Sequence, residues 1–406
     1  MTQQEIERVS QADAQAFIFA NENIDVGKFL LAQKDLFGVQ PACIADQLRG
    51  RQKALSKIPL YRNTSGIVYP PSLNLEQSSS ETTALFKCDW LKKDLPITQN
   101  FADLTGGWGV DSFFFSQITD RLVYVEPDEN LFDIARHNHR VLKAENIAHR
   151  HQSAEQFLSD NKESFDLMYV DPGRRTHQNK KVFLLKDCQP DVVGLLPQLL
   201  QQTSHVLIKA APLLDIQSAL RELVHVKKIA VVSVENECRE LLFLLEKDFD
   251  GEVFIETYNL TKKERQQFSF TLKEEYHASS LFGELKEFIY EPNASILKSG
   301  AFKLVGEKFG LHKLHVHTHL YTGSTKIENF PGRVFKIEKL KFDADELPEQ
   351  RANVMTRNYP LSAMQLKQKL KLKDGGEKIV IGFTGLHKKY VVVAAKVSSD
   401  QNRNVQ

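Results

Sequence analysis

Three acidic residues stand where chemistry on a nucleotide-like ligand would need them. The first, Asp103, precedes a glycine-rich stretch, F-A-D-L-T-G-G-W-G-V-D, from Phe101 to Asp111. Gly106, Gly107 and Gly109 can take backbone angles that other residues avoid, which makes a tight turn possible. Lacking side chains, they also let a ligand lie against the backbone, near the positive end of the following helix. The second, Glu126, closes the run R-L-V-Y-V 19 residues after Gly107, placed to take both ribose hydroxyls of an adenosine. The third, Asp171, closes F-D-L-M-Y-V and opens D-P-G-R-R. Acids at the carboxyl end of a strand collect where an open α/β sheet does its chemistry.

The spacing discriminates between ligands. A dinucleotide site wants G-x-G-x-x-G, and the register from Gly107 gives G-W-G-V-D-S, with serine at the third position. The acid in Asp103-x-x-Gly106-Gly107-x-Gly109 can pair with an ammonium, which S-adenosylmethionine (SAM) carries and NAD lacks. Against a dinucleotide, Asp103 would face the pyrophosphate with like charge. Thr105 lies inside the same turn. Further on, H-R-H-Q-S-A-E-Q-F-L offers Gln152 or Ser153 as a polar partner for an adenine amino group.

The elements that must position these groups follow from periodicity. Residues 3–60 read as helices, with apolar residues at helical spacing such as Ile6, Val9, Ala12 and Ala16. Residues 62–74 read as an ordered loop or a hinge, and Ser78 and Glu81 have capping-box spacing for a helix running to about Trp90. From Gln99 to about Tyr258 strands and helices alternate, the signature of a parallel sheet covered on both faces. The strands expected are Asn100–Leu104, Leu122–Val125, Asp166–Val170, His205–Ala210, Ala230–Val234 and Glu252–Tyr258, the last one antiparallel. Helices are expected at Asn130–Ala144, Val192–Gln202, Asp215–Leu223 and Glu237–Lys247. After Lys262 small α+β structure is expected, with a helix over Ser279–Phe288, a strand L-H-V-H-T-H-L, strands at 333–341 and 379–395, and a basic helix between these two. The domains expected are an N-terminal helical region (1–95), an α/β domain (96–262), a small α+β domain (263–330) and a basic C-terminal domain (331–400).

D-x-x-G-G-x-G, then E-P-D, then V-D-P-G-R-R resembles the ordered motifs of class I SAM-dependent methyltransferases, over residues 75–258. E-Q-S-S-S-E-T-T-A-L-F-K before this core and E-P-N-A-S-I-L-K-S-G-A-F at 291–302 are similar to a bacterial group of these enzymes with a ferredoxin-like segment and a C-terminal THUMP-like domain. The resemblance implies a Rossmann-like sheet, a ferredoxin-like part at 263–330, and a THUMP-like part at 331–400, a module associated with RNA modification. It implies that Gln77 and Ser78 flank the cofactor. One departure stands out. Amino-group methylases commonly show D-P-P-Y, whose aromatic stacks on a flipped base, whereas here G-R-R follows Pro172. Asp171, helped by Arg174, is expected to present the methyl acceptor; as an alternative it caps a helix. Arg174 and Arg175 would bind substrate phosphate or simply sit on the surface.

Composition bounds the rest. Hydrophobic residues make up 42% and charged residues 26% of the chain, ordinary for a soluble globular protein. No run of about 18 apolar residues occurs, and with a polar N-terminus no signal peptide is expected. The four cysteines are far apart, so a reduced, cytoplasmic protein without a cysteine metal site is expected. Residues 331–406 hold 15 Lys and Arg against 8 Asp and Glu, while residues 1–330 hold 38 against 44. A basic module appended to an acidic body is one way to deliver a polyanion to a catalytic site; lysines that only solubilise a small domain are the other reading. His315, His317 and His319 alternate and are expected on one face of a strand, without the acid or cysteine spacing of a metal site. No cysteine stands directly after Pro172, where the strand's carboxyl edge would have to present one, which disfavours covalent methylation of a pyrimidine. The leading expectation is a SAM-dependent methyltransferase acting on tRNA or rRNA at nitrogen or oxygen. The alternatives are a non-catalytic RNA-binding protein of the same fold and a methyltransferase acting on small molecules or proteins.

Overall fold

The computed structural model describes residues 1–32, 36–95, 98–174 and 184–397. It divides into two compact units, Met1–Val226 with Phe243–Asp250 and Lys227–Leu242 with Gly251–Gln406.

The first unit is built on strands β1 (Thr98–Asp103), β2 (Thr119–Val125), β3 (Ile147–Arg150) and β4 (Phe165–Val170). A short pair, β5 (Gly173–Arg174) and β6 (Cys188–Gln189), is followed by β7 (Thr203–Ala210), by β8 (Val226–Val234), which from Lys227 belongs to the second unit, and by β9 (Glu237–Glu246), which returns to the first unit from Phe243. Within this unit the strands lie in the order β9-β7-β4-β1-β2-β3, and β1–β4 and β7 pair in parallel. Parallel strands are buried on both faces, which is why F-D-L-M-Y-V and H-V-L-I-K-A read as nearly continuous apolar runs. Phe101, Phe115 and Tyr169 form the aromatic centre, Phe101 stacking on Phe115 with ring centroids 4.7 Å apart.

The N-terminal helices were legible. The stretch at 62–74 is ordered rather than a hinge, because the Asn138 side chain clamps Val68 from both sides, accepting from its N–H (2.9 Å) and donating to its C=O (2.8 Å). The capping box sits two residues beyond the place expected, since Ser80 and Thr83 cap the helix Glu81–Asp94 while Ser78 ends the preceding helix Ser72–Gln77.

In the second unit β8 and the start of β9 are followed by β10 (Phe254–Leu260) and β11 (Arg265–Thr271), in the order β11-β10-β8-β9. The helix expected over Glu237–Lys247 is strand β9 instead. Leu and Glu favour helix, but L-L-F-L-L is buried on both faces of the sheet, and such a strand loses its alternation. Glu235 and Asn236, both at positive φ (49° and 64°), turn β8 back into β9. A two-residue connection between neighbouring strands makes them antiparallel. Glu252–Tyr258 is present as β10 but pairs in parallel with β8, so the antiparallel members are β9 and the last strand, β11, which pairs antiparallel with β10.

A seven-stranded sheet completes this unit: β12 (Phe288–Pro292), β13 (His312–His315), β14 (Thr318–Gly323), β15 (Gly332–Lys339), β16 (Asn353–Arg357), β17 (Lys378–Thr384) and β18 (Lys389–Val397), in the order β13-β14-β12-β15-β18-β17-β16. The sheet curls until its two ends approach, because Asn358, after edge strand β16, donates to the Thr318 hydroxyl of β14 at 3.2 Å. Ile289, Leu314, Leu320, Phe335, Ile381, Phe383, Val392 and Ala394 fill the interior. The basic helix is confirmed at Ala363–Lys369. No helix forms over Ser279–Phe288; the helix lies earlier, at Leu272–His277. The histidine run is not one strand either. His315 ends β13, His317 lies in the turn and His319 belongs to β14, where its ring stacks on Phe302 with centroids 3.9 Å apart.

Candidate active site

In the first unit, β1, β2, β4 and β7 end side by side. The parallel register sets Asp103 opposite both Tyr124 and Tyr169, and Val170 opposite Ile208. Glu126, Asp171 and Lys209 each follow the last of these partners by one or two residues, so one carboxyl edge carries Asp103, Glu126, Asp171 and Lys209.

The glycine turn is built against this edge. The Gly106 N–H donates to Val125 C=O at 2.9 Å, and a Cβ on Gly106 would come within 2.1 Å of the Tyr124 ring. Gly107 (φ 55°) and Gly109 (φ 90°) take left-handed conformations that favour glycine. A Cβ on Gly107 would meet nothing within 4 Å, so the turn is open on that side. Behind it, His139 Nε2 lies 2.8 Å from Gly109 C=O and its Nδ1 lies 2.9 Å from His149 Nε2. The carbonyl can only accept, so His139 carries its proton on Nε2 and accepts at Nδ1 from His149. Burial pushes His139 down to about 3 and His149 to about 4, which keeps both rings neutral.

Asp103 is 1% exposed and accepts from Ser112 Oγ (2.5 Å) and the Thr105 N–H (3.1 Å). Burial pushes its carboxyl up to about 7, against the lowering effect of these two bonds. Glu126 accepts from the Gly107 N–H (2.8 Å) through one oxygen and from the Asp128 N–H (2.9 Å) through the other. Burial raises its pKa, and the two backbone N–H groups oppose that. Each oxygen retains a lone pair for a further donor. Thr105 Oγ1 accepts from the Asp171 N–H at 2.7 Å, tying the turn to the end of β4. The Asp171 carboxylate is ion-paired with Lys209 Nζ.

A second network, absent from the sequence reading, lies beneath the turn. Asp111, two residues past Gly109, accepts from Ser79 Oγ (2.7 Å) and Tyr169 OH (2.9 Å) and pairs with Lys87 Nζ at 3.2 Å. Lys87 is fully buried and also donates to Ser79 Oγ at 3.1 Å. Burial raises the Asp111 pKa, but the Lys87 and Lys209 ammoniums and the two hydroxyl donors outweigh it, so Asp111 stays below the usual carboxylate range. The only sequence signals were a lysine and an aspartate on otherwise apolar helix faces.

The remaining expected residues separate by what their side chains do. Ser78 Oγ donates to Leu75 C=O at 2.8 Å, and Gln77 is exposed beside it. Their neighbour Ser79 is the one bonded to the helix that follows the turn. Ser153 caps the helix Ala154–Asp160, accepting from the Gln156 N–H at 3.2 Å, whereas the half-buried Gln152 amide bonds to none of the described residues. The Arg174 backbone forms β5; its side chain, and Arg175 entirely, lie outside the described residues.

A SAM-type ligand fits this donor set: an open glycine cradle, one buried carboxylate at the end of β1, one at the end of β2, and a free amide after β3. Comparison with known proteins agrees with the fold. Residues 288–331 match the model of a ferredoxin-like domain and residues 332–396 that of a THUMP-like domain. A crystal structure from Porphyromonas gingivalis W83, named a "putative methyltransferase", is 30% identical, with a TM-score of 0.83 over 98% of this chain and 100% of that one. A curated protein of Mycoplasma mobile, named an uncharacterized RNA methyltransferase, is 24% identical over 147 residues, 36% of this chain. The match spans 40% of that relative's length.

Proposed function

The chain belongs to the class I methyltransferase family that carries a ferredoxin-like segment and a THUMP-like C-terminal domain, and on that premise we propose that it moves a methyl group from SAM to a nitrogen or oxygen of structured RNA, tRNA or rRNA. The observation that carries this reading is the carboxyl edge of the sheet, where Asp103, Glu126 and Asp171 flank a glycine turn with an open side. Bound there, SAM supplies an electrophilic methyl group on a sulfonium.

The chain's own residues bind and orient. Asp103 receives the ammonium of the methionyl end, Thr105, Gly106, Gly107 and Gly109 receive the backbone-facing side of the ligand, and Glu126 receives the ribose hydroxyls. Gln152 is the better placed of the two adenine candidates, because Ser153 is committed to its helix cap. Gln77 and Ser78 flank the cofactor from the preceding segment. Asp171, held by Lys209, presents the acceptor together with Arg174. Transfer from a sulfonium needs little acid–base work, so proximity and orientation supply most of the rate. RNA as substrate is supported by the THUMP-like match, by the name of the Mycoplasma mobile relative, and by the basic charge of residues 331–406.

Calorimetric titration with S-adenosylhomocysteine tests the cofactor assignment. Saturable one-to-one binding is expected, weakened by Asp103→Ala and by Glu126→Ala. Absence of heat at millimolar ligand overturns it.

A further inference from the structure

The first residue of E-P-N-A-S-I-L-K-S-G-A-F anchors an unusual charge cluster inside the second unit. Glu291, in β12, is 2% exposed at its side chain. It stands directly across from Arg333 of β15 in the sheet register. Because the sheet curls, Arg357 at the end of β16 reaches the same carboxylate. Arg333 Nε donates to one oxygen at 2.6 Å and Arg357 Nε to the other at 2.7 Å, and the Nη2 group of each approaches the same oxygen as its own Nε. One buried carboxylate therefore holds two guanidinium groups, and the cluster keeps a net charge of +1.

The donors left over are what matter. A guanidinium has five N–H groups. Arg333 spends two on Glu291, and Arg357 spends two there and one on Thr356 C=O at 2.8 Å. That leaves five N–H groups with no acceptor among the described residues, on side chains 34% and 39% exposed. Neutralising Glu291 needs one arginine. The second brings like charge beside the first, which is unfavourable unless another anion shares them. Planar forks held at fixed orientation are the donors that suit a phosphate. The surrounding segment carries matching charge, with 14 Lys and Arg against 7 Asp and Glu over residues 332–397.

We propose that Arg333 and Arg357, set side by side by the buried carboxylate of Glu291, form a phosphate-binding clamp that takes the backbone of the RNA substrate. This rests on the reading that the substrate is RNA. Glu291 is the positioning residue and the two arginines make the contact. Phosphate contacts of this kind fix orientation without reading sequence, so the clamp would register the RNA for the reaction rather than select the base.

The test uses the full chain and unmodified tRNA as the probe, with binding followed by anisotropy across a salt series. Wild type should bind with a linear dependence of log affinity on log salt. Arg333→Gln and Arg357→Gln should each weaken binding by about tenfold near 0.1 M salt and reduce the salt slope by about 1. Affinity for S-adenosylhomocysteine should not change. Arg357→Lys keeps the charge but loses the fork, and should bind less tightly than wild type while folding normally. The triple variant Glu291→Gln, Arg333→Gln, Arg357→Gln removes all three charges without stranding a buried carboxylate. It guards against a folding defect, and should lose both increments of slope. If wild type binds tRNA and the folded variants keep its affinity and slope, the clamp is overturned, its surface facing some other partner, and the RNA reading stands. If wild type binds no tRNA, that reading fails and the clamp with it.

Discussion

At the scale of single residues, Asp103 is the point where electrostatics and ligand chemistry meet. Its carboxyl is pushed up to about 7 by burial, while pairing with a ligand ammonium requires the carboxylate. Binding must then release a proton whenever Asp103 is protonated. S-adenosylhomocysteine affinity should be level above pH 7 and fall about tenfold per pH unit below it, and calorimetry at pH 6, 7 and 8 should show Asp103→Asn weaker and without this dependence. In the free protein the sign is opposite. The folded value lies above the unfolded one, so the contribution of Asp103 to stability is present below pH 4 and lost as pH rises through about 7. Lys87 carries a different burden. Fully buried and paired with Asp111, it leaves an uncompensated carboxylate when removed. Lys87→Met should cost about 3–5 kcal/mol in chemical denaturation, and adding Asp111→Asn should restore part of that loss. Asp103, Glu126 and Asp171 were legible because each closes a strand inside a recognisable motif. Ser79, Lys87, Asp111, Tyr169 and Lys209 were not, because their meaning lies in pairing between elements distant in the chain.

At the scale of elements, the glycine turn depends on what stands behind it. The neutral pair His139–His149 holds the Gly109 carbonyl, and both rings have folded pKa values (about 3 and about 4) far below the ordinary 6.5. The unfolded chain therefore binds protons that the folded chain refuses. The stabilisation is complete above pH 6.5 and is lost as pH falls toward 4 and below. Thermal melts between pH 7 and pH 5 should show a decline that His149→Gln, which does not titrate, makes shallower. The strands β1, β2, β4, β7 and β8 were readable from their apolar runs. β9 was not, since ten residues rich in Leu and Glu satisfy helix propensity equally well, and only the turn at Glu235–Asn236 betrays a hairpin. β3 and β11 were missed altogether: I-A-H-R and R-Q-Q-F-S-F-T carry too few apolar residues to announce a strand.

At the scale of the whole molecule, the stretches matching ferredoxin-like and THUMP-like domains share one sheet, with β12 paired to β15. Removing residues 331–406 would therefore strip β15–β18 from the sheet and expose Ile289, Leu314 and Leu320, which pack on Phe335 and Ile381. The truncated chain should aggregate or melt at a markedly lower temperature than full length, as size-exclusion chromatography and calorimetry would show. Point changes at Arg333 and Arg357 are thus the sounder probe of RNA contact.

Methyl transfer from SAM to RNA can be measured by incubating the protein with methyl-labelled SAM and RNA from cells lacking this gene, then digesting the RNA to nucleosides. Label is expected in one modified nucleoside, strongly reduced with Glu126→Ala and with Asp171→Ala. Absence of label in every nucleoside, from protein that demonstrably binds both S-adenosylhomocysteine and RNA, would contradict it.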